Sequence, residues 1–434
     1  MTELLGDTSL ASISRSLRYD TTDLEAHYRD ARERAEAVDP RLRAFVDEEN
    51  RWERIDRALE RVRSRFPDPE SRPPLYGVPV GIKDVFRTAD LPTRAGSDVP
   101  AEALSGAEAE AVSRLTDAGA VVLAKTVTAE FACFESGPTR NPHDPDHTPG
   151  GSSSGSAAAV AAGLCPLALG TQTIGSTNRP AAFCGIVGVK PSHDRIPIDG
   201  TIAVAPSIDH VGFFTQHVEG AELAAGVLYD DWRAGDDPPD LSRIGVLEGP
   251  YLEQAEDVGR EHFEAHVERL EAAGYTTVRI DPFGEDIEEI NERHEAIMSA
   301  EMAIGHDARF SEYGDRYADA TAEFVHEGRE TSVETLARAR SGRSKLRERL
   351  HETFETHDLD VLVSPAAPGP APEGLESTGD PIMNLPWTHS GLPSVTVPAS
   401  RTDDGLPMAL QCVSRFGRDE WLLSWCRSIE DALR

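Results

Sequence analysis

The sequence predicts a single large α/β domain, and three observations predict it. Short apolar runs of strand character alternate with helix-like segments, the pattern of a sheet with helices packed on it. No internal repeat, low-complexity linker or break in composition divides the chain. Its 434 residues suffice for one large unit, although length alone would also allow several ordinary domains.

Taken in order, residues 22–65 carry helical periodicity with dense Arg and Glu, as in the stretches beginning at Leu24 and Ile55. They predict two amphipathic surface helices. Pro67, Pro69, Pro73 and Pro74 then break the helix. Strand-type runs follow at Val78–Ile82, Val121–Ala124 and Leu167–Gly170, with a helical segment between Ala107 and Ala118. Residues 220–350 read as mostly helical and acidic, with one strand-like run from Tyr275 to Ile280. Leu359–Pro365 predicts a buried strand, Pro393–Pro398 another, and Arg415–Leu433 a closing helix.

Charge narrows the function classes. Lys and Arg total 43 against 76 Asp and Glu, a formal net charge of −33. Such a surface repels phosphates and anionic lipid heads, so no nucleic-acid or membrane partner is expected. Only four lysines occur: Lys83, Lys125, Lys190 and Lys345. Few Lys among many acids predicts a halophilic protein, whose salt-rich surroundings screen the self-repulsion. The five cysteines (Cys133, Cys165, Cys184, Cys412 and Cys426) show no metal-ligand spacing and fit a reducing compartment. With no basic, apolar leader at Met1, the expected location is cytoplasmic.

Three clusters could carry chemistry. The densest runs from Pro149 to Gly163, a Gly/Ser stretch followed by an Ala-rich tail small enough to form a helix buried on all sides. Gly151–Gly155 matches the G-x-S-x-G elbow with Ser153 as nucleophile, but the Asp/Pro/His-rich residues before it argue against the strand that motif needs. A phosphate loop fails because position 156 is Ser where Lys is required. The second cluster spans Gly170–Gly185 and holds Ser176 after Gly175; the third, Gly77–Asp84, places Lys83 among apolar residues.

With these three motifs in this order, and Ser152 and Ser176 set 24 residues apart, the sequence resembles the amidase-signature family. The likeness covers about Tyr76 to Gly212 and returns at Asn384–Pro398. It implies a single large mixed β-sheet covered by helices on both faces, as one amidase domain over residues 1–434. That domain divides into a signature core (70–215), a helical acidic segment (216–350) and a C-terminal part of the same sheet (351–434). It implies Ser176 as nucleophile, Ser152 as proton relay after a cis Gly151–Ser152 bond, and Lys83 as base. Thr173, Ile174 and Gly175 would supply the oxyanion hole. No cofactor or metal is implied; the partner is a small-molecule amide, and a homodimer is allowed.

General chemistry agrees with these roles. A serine hydroxyl needs a neighbouring base to attack an amide, and a lysine is such a base only when neutral, which burial favours. Two departures from the family pattern matter. Ile174 stands where the family usually has Gly, and a β-branched residue resists positive φ. The loop must therefore hold its donors there without a glycine-only conformation. Arg179 lies three residues after the nucleophile, with Asn178 where many relatives have Arg. This matches the malonamidase-type branch and makes Arg179 a candidate grip for a substrate carboxylate. His143, Asp144, Asp146 and His147 read as a solvated loop, Cys184 as a small buried hydrophobe, and Asp209 as structural. The alternatives are the amidase subunit of a tRNA-dependent amidotransferase, a weakly active binding homologue, and an esterase using Ser153.

Overall fold

The computed structural model describes residues 3–233 and 239–434. Its centre is one ten-stranded sheet. In chain order the strands are β1 (Pro79–Lys83), β2 (Val121–Thr126), β3 (Leu167–Gln172), β4 (Val187–Lys190), β5 (His210–Thr215), β6 (Arg243–Leu247), β7 (Thr276–Ile280), β8 (Val361–Pro365), β9 (Ser394–Arg401) and β10 (Pro407–Val413). Their spatial order is β2-β1-β3-β5-β4-β9-β10-β8-β6-β7. Both flanks are parallel (β1 with β2 and β3, β6 with β7 and β8), and the middle is antiparallel.

The described helices are α1 (Leu10–Arg18), α2 (Leu24–Leu42), α3 (Arg51–Arg65), α4 (Glu110–Asp117), α5 (Ser154–Ala161), α6 (Asn178–Cys184) and α7 (Val218–Leu228). They continue as α8 (Pro250–Glu253), α9 (Asp257–Ala272), α10 (Ile287–Tyr313), α11 (Asp319–Glu330), α12 (Val333–Thr356), α13 (Leu385–Ser390) and α14 (Asp419–Leu433). Every predicted strand is present, as are the paired helices α2 and α3. The predicted closing helix starts at Asp419, four residues after Arg415. The sequence reading missed α1, α6, α13 and four strands: β4, β5, β6 and β10. The supposedly helical segment thus holds two sheet strands, β6 and β7, where one strand-like run was expected.

The Ala-rich helix α5 is buried along its whole length, as its composition predicted. Small residues are required there: a Cβ at Gly155 would lie 2.2 Å from the Ala44 carbonyl oxygen and 2.4 Å from the Val127 nitrogen. This close packing sets α5, and the loop that leads into it, against the β1–β3 end of the sheet.

Candidate active site

Lys83 is the last residue of β1, at the carboxyl end of the parallel β2-β1-β3 flank. Loops leave such sheets there, and ligands commonly bind there. All five residues of β1 are buried, and Lys83 is 0% exposed. Its Nζ hydrogen-bonds Ser152 Oγ at 2.8 Å and Thr171 Oγ1 at 2.7 Å, two neutral hydroxyls. Burial pulls its pKa well below the usual lysine value; the Asp209 carboxylate works against that shift and Arg179 adds to it.

Ser152 is 2% exposed and follows a cis peptide from Gly151. Its carbonyl accepts from Ala129 N at 3.1 Å, which ties the loop to the segment just after β2. Gly151 tolerates no side chain, since a Cβ would lie 2.6 Å from Thr378 Cγ2. Ser153 is fully buried, and its hydroxyl donates to the Thr171 carbonyl at 3.2 Å. The described residues just before it form no strand, so the elbow that an esterase would need is not formed.

Ser176 lies in the turn between β3 and α6 and is 9% exposed. Both helix-entry amides, Thr177 N and Asn178 N, donate to Gln172 Oε1 at 2.8 and 2.9 Å. No residue from Thr173 to Ser176 has positive φ. Ile174 therefore sits without left-handed strain, and the glycine usual in the family is not needed for conformation. Gly175 is needed for space: its Cβ would meet Asn384 Oδ1 at 2.3 Å. Three successive carbonyls of this turn are held. Thr173 O receives His294 Nε2 at 2.8 Å, Ile174 O receives Thr388 Oγ1 at 2.6 Å, and Gly175 O receives Arg179 N at 2.9 Å. Asp209 supports the turn by accepting from Thr173 Oγ1 at 2.6 Å and from Val204 N and Ala205 N.

The two serine segments meet through Arg179, three residues after Ser176. Its guanidinium donates to Gly151 O at 2.6 Å, Thr378 Oγ1 at 2.9 Å and Gly379 O at 2.7 Å. Among the described residues no hydrogen bond joins Ser152 to Ser176. Asn178 is buried and turned toward β9, bonded to Gln172, Ser394 and Thr396. Its difference from many relatives is thus a packing feature rather than a substrate contact. His143 lies against the Cys184 carbonyl at 2.9 Å and beside Arg401, so it is a structural side chain that ties its loop to α6 and β9.

Sequence reasoning missed Thr171, His294 and Thr388. Thr171 and Thr388 stand inside quoted motifs, but nothing in the sequence marked them. His294 lies in the acidic helical segment and reaches the site only through the fold.

The sequence matches the family described as Amidase over residues 28–423. It is 31% identical to a glutamyl-tRNA(Gln) amidotransferase subunit of Synechococcus sp. (strain RCC307), with 96% of each chain covered. Among solved structures it resembles one described as an amidase, at TM-score 0.87 and 30% identity over 98% of this chain and 100% of that one. It also resembles the native peptide amidase of Stenotrophomonas maltophilia, at TM-score 0.81 and 27% identity over 99% and 97%. With the family matched along nearly its whole length, the chain belongs to the amidase (amidase-signature) family, enzymes that act on amide C–N bonds.

Proposed function

We propose that this chain hydrolyses a small-molecule carboxamide through an acyl-enzyme on Ser176. The observation that carries the reading is the environment of Lys83: fully buried and bonded at Nζ to the Ser152 hydroxyl, with no described carboxylate in contact. A neutral amine there takes the Ser152 proton as Ser152 takes that of Ser176. Ser176 Oγ attacks the amide carbon, and the negative oxygen is met by backbone N–H groups. The relay then returns the proton to the departing nitrogen, which leaves as amine or ammonia. Water, activated by the same route, releases the carboxylic acid.

The family resemblance implies oxyanion donors at Thr173, Ile174 and Gly175. In a planar trans peptide the C=O and the following N–H point to opposite sides. Holding the carbonyls of 173, 174 and 175 therefore fixes the N–H groups of Ile174, Gly175 and Ser176, and these three are the donors this reading uses.

Arg179 remains the candidate for a substrate carboxylate, with a condition. Three of its N–H groups are already taken by Gly151, Thr378 and Gly379, so a carboxylate gains the full fork only by displacing the 378–379 loop. A second reading, the amidase subunit of a tRNA-dependent amidotransferase, is favoured by the relatives that carry that name. It uses the same Ser176 chemistry with a partner protein receiving the ammonia.

The test is ammonia release from succinamate, hexanamide, benzamide and glutamine in molar KCl. Wild type, Ser176→Ala and Arg179→Ala are assayed side by side. Loss of all turnover in Ser176→Ala is expected, and full retention contradicts the acyl-enzyme. A loss in Arg179→Ala confined to succinamate and glutamine supports the carboxylate grip; equal loss on every amide removes it. Glutamine cleavage that needs a stably co-purifying partner selects the second reading.

A further inference from the structure

The oxyanion turn is short; β-branched Ile174 resists the positive φ that a flip of the Thr173–Ile174 peptide would give it, but Gly175 places no such restraint on the Ile174–Gly175 peptide. A half-turn of the Thr173–Ile174 or Ile174–Gly175 peptide would exchange N–H for C=O. A carbonyl dipole would then face the developing negative oxygen in place of a donor. A further restraint on both peptides lies outside the signature core. The Thr173 carbonyl is bonded by His294 of α10, and the Ile174 carbonyl by Thr388 of α13. We propose that His294 and Thr388 are positioning residues which, by capturing these two carbonyls, aim the N–H groups of Ile174 and Gly175 at the reacting carbonyl oxygen. The proposal rests on Ser176 being the nucleophile.

The direction of each hydrogen bond follows from its neighbours. Gln172 Oε1 accepts two backbone N–H groups, so its amide nitrogen is fixed as a donor and gives one proton to Thr388 Oγ1 at 3.0 Å. Having accepted there, the Thr388 hydroxyl sends its single proton outward. Ile174 O, at 2.6 Å, is a nearer acceptor than Asn384 O, at 3.3 Å. The result is a closed circuit, with Gln172 holding the start of α6 and Thr388 holding the turn just before it. At the other carbonyl, His294 Nε2 faces an oxygen that can only accept, so the imidazole carries its proton on Nε2. Burial keeps this ring neutral, with a pKa of about 3, so it serves as a fixed donor rather than a titrating group.

The holders are themselves held. Arg343 and Arg347 of α12 donate to the His389 and Ser390 carbonyls at 3.0 and 2.7 Å, closing the carboxyl end of α13. Asn384 and Pro381 press on Gly175, leaving no room for a Cβ. The acidic helical segment thus acts on the reaction through His294 and through the arginines that hold α13.

The experiment follows acylation by p-nitrophenyl acetate in stopped flow, in molar KCl, with thermal midpoints recorded for every protein. Thr388→Val and His294→Phe remove the donors at near-constant volume; Thr388→Ser and His294→Gln keep a donor. An oxyanion donor lost outright slows reaction about 10²–10³-fold, so a misaimed one should slow acylation about 10–100-fold. The expected result is that loss in the Val and Phe variants, with KM little changed and the Ser and Gln variants near wild type. Folded Val and Phe variants that acylate at the wild-type rate overturn the proposal. So does a loss that the Ser and Gln variants share. If one non-donor variant fails to fold, the pair at the other position decides. Ser176→Ala runs in parallel: a burst that survives it overturns the nucleophile reading, whereas a burst lost there but unchanged in the Val and Phe variants overturns only the positioning roles.

Discussion

Lys83 and Lys125 stand on neighbouring strands, both buried, and differ in what their ammonium groups meet. Lys125 on β2 pairs in register with Ile82 of β1. Its Nζ lies 2.7 Å from Asp84 Oδ1 and also donates to Phe86 O at 2.8 Å and Thr93 Oγ1 at 3.0 Å. Three bonds, one of them to a carboxylate, fill the three donors of a charged ammonium. Lys83 has two hydroxyls and no touching anion among the described residues. Burial lowers the pKa of both, but for Lys125 Asp84 opposes it through charge and hydrogen bond together, while for Lys83 only the more distant charge of Asp209 does. On the proposed mechanism, the same residue type at the same depth is a paired cation in one place and a base in the other. The partner makes the difference, because a low-dielectric interior charges an amine only beside a compensating charge.

The largest effect that separates the pair is on turnover. Lys83→Met should lower amide hydrolysis by about 10⁴-fold or more, as loss of a member of a proton relay does. It should leave thermal stability unchanged or raised, because a costly buried amine is gone. Steady-state rates and thermal scans in molar KCl check both; a large stability loss would mean that Lys83 is charged and structural. Lys125→Met should do the opposite. It strands Asp84 without its partner, at a cost of about 3–5 kcal/mol, measurable by denaturant unfolding. Activity per folded molecule should largely survive.

Acidity sharpens the contrast. The folded-state pKa of Lys83 lies below its unfolded value, so between the two the unfolded chain binds the extra proton. Stability therefore rises with pH across that window, by at most about 1.4 kcal/mol per pH unit for one group. Turnover rises through the same folded-state pKa as the amine becomes neutral. Lys190 is also buried and is shifted to about 7, so the wild type minus Lys83→Met difference is what isolates Lys83. An identical pH slope in both proteins contradicts the assignment. The smallest effect is the control: Lys345 is exposed, and Lys345→Met should change stability by less than about 0.5 kcal/mol.

How much of this was legible follows from how local each signal is. Lys83, Ser152 and Ser176 each sit in a compact motif whose glycines are forced by close contacts, as at Gly151 and Gly175, so the short stretches carry the information. The missed strands β4, β5 and β6 contain Gly188, Gly212 and Gly245, each with another residue's atoms within 3 Å of where a Cβ would stand. Close approach of a helix or a neighbouring strand there replaces the apolar side chains that periodicity looks for. β10 hides Gln411, fully buried but satisfied by Asn384, Ser364 and Met383. His294 bonds Thr173 across 121 residues of chain, and no local pattern encodes such a contact. Arg179 shows what a motif position leaves out: it suggested a substrate grip, and only the fold shows three of its donors engaged by Gly151 and the 378–379 loop.

The central claim is that Lys83 is neutral when the enzyme works. With only four lysines in the chain, carbon-13 labelling at the lysine ε position gives few signals, each assigned by its own Lys→Met variant. Spectra are recorded across the pH range of activity in molar KCl. The account predicts that the signal missing from Lys83→Met has the shift of a free amine wherever turnover is full, and that it titrates in step with turnover, while the Lys125 signal stays ammonium-like. A Lys83 signal that remains ammonium-like at full turnover contradicts it.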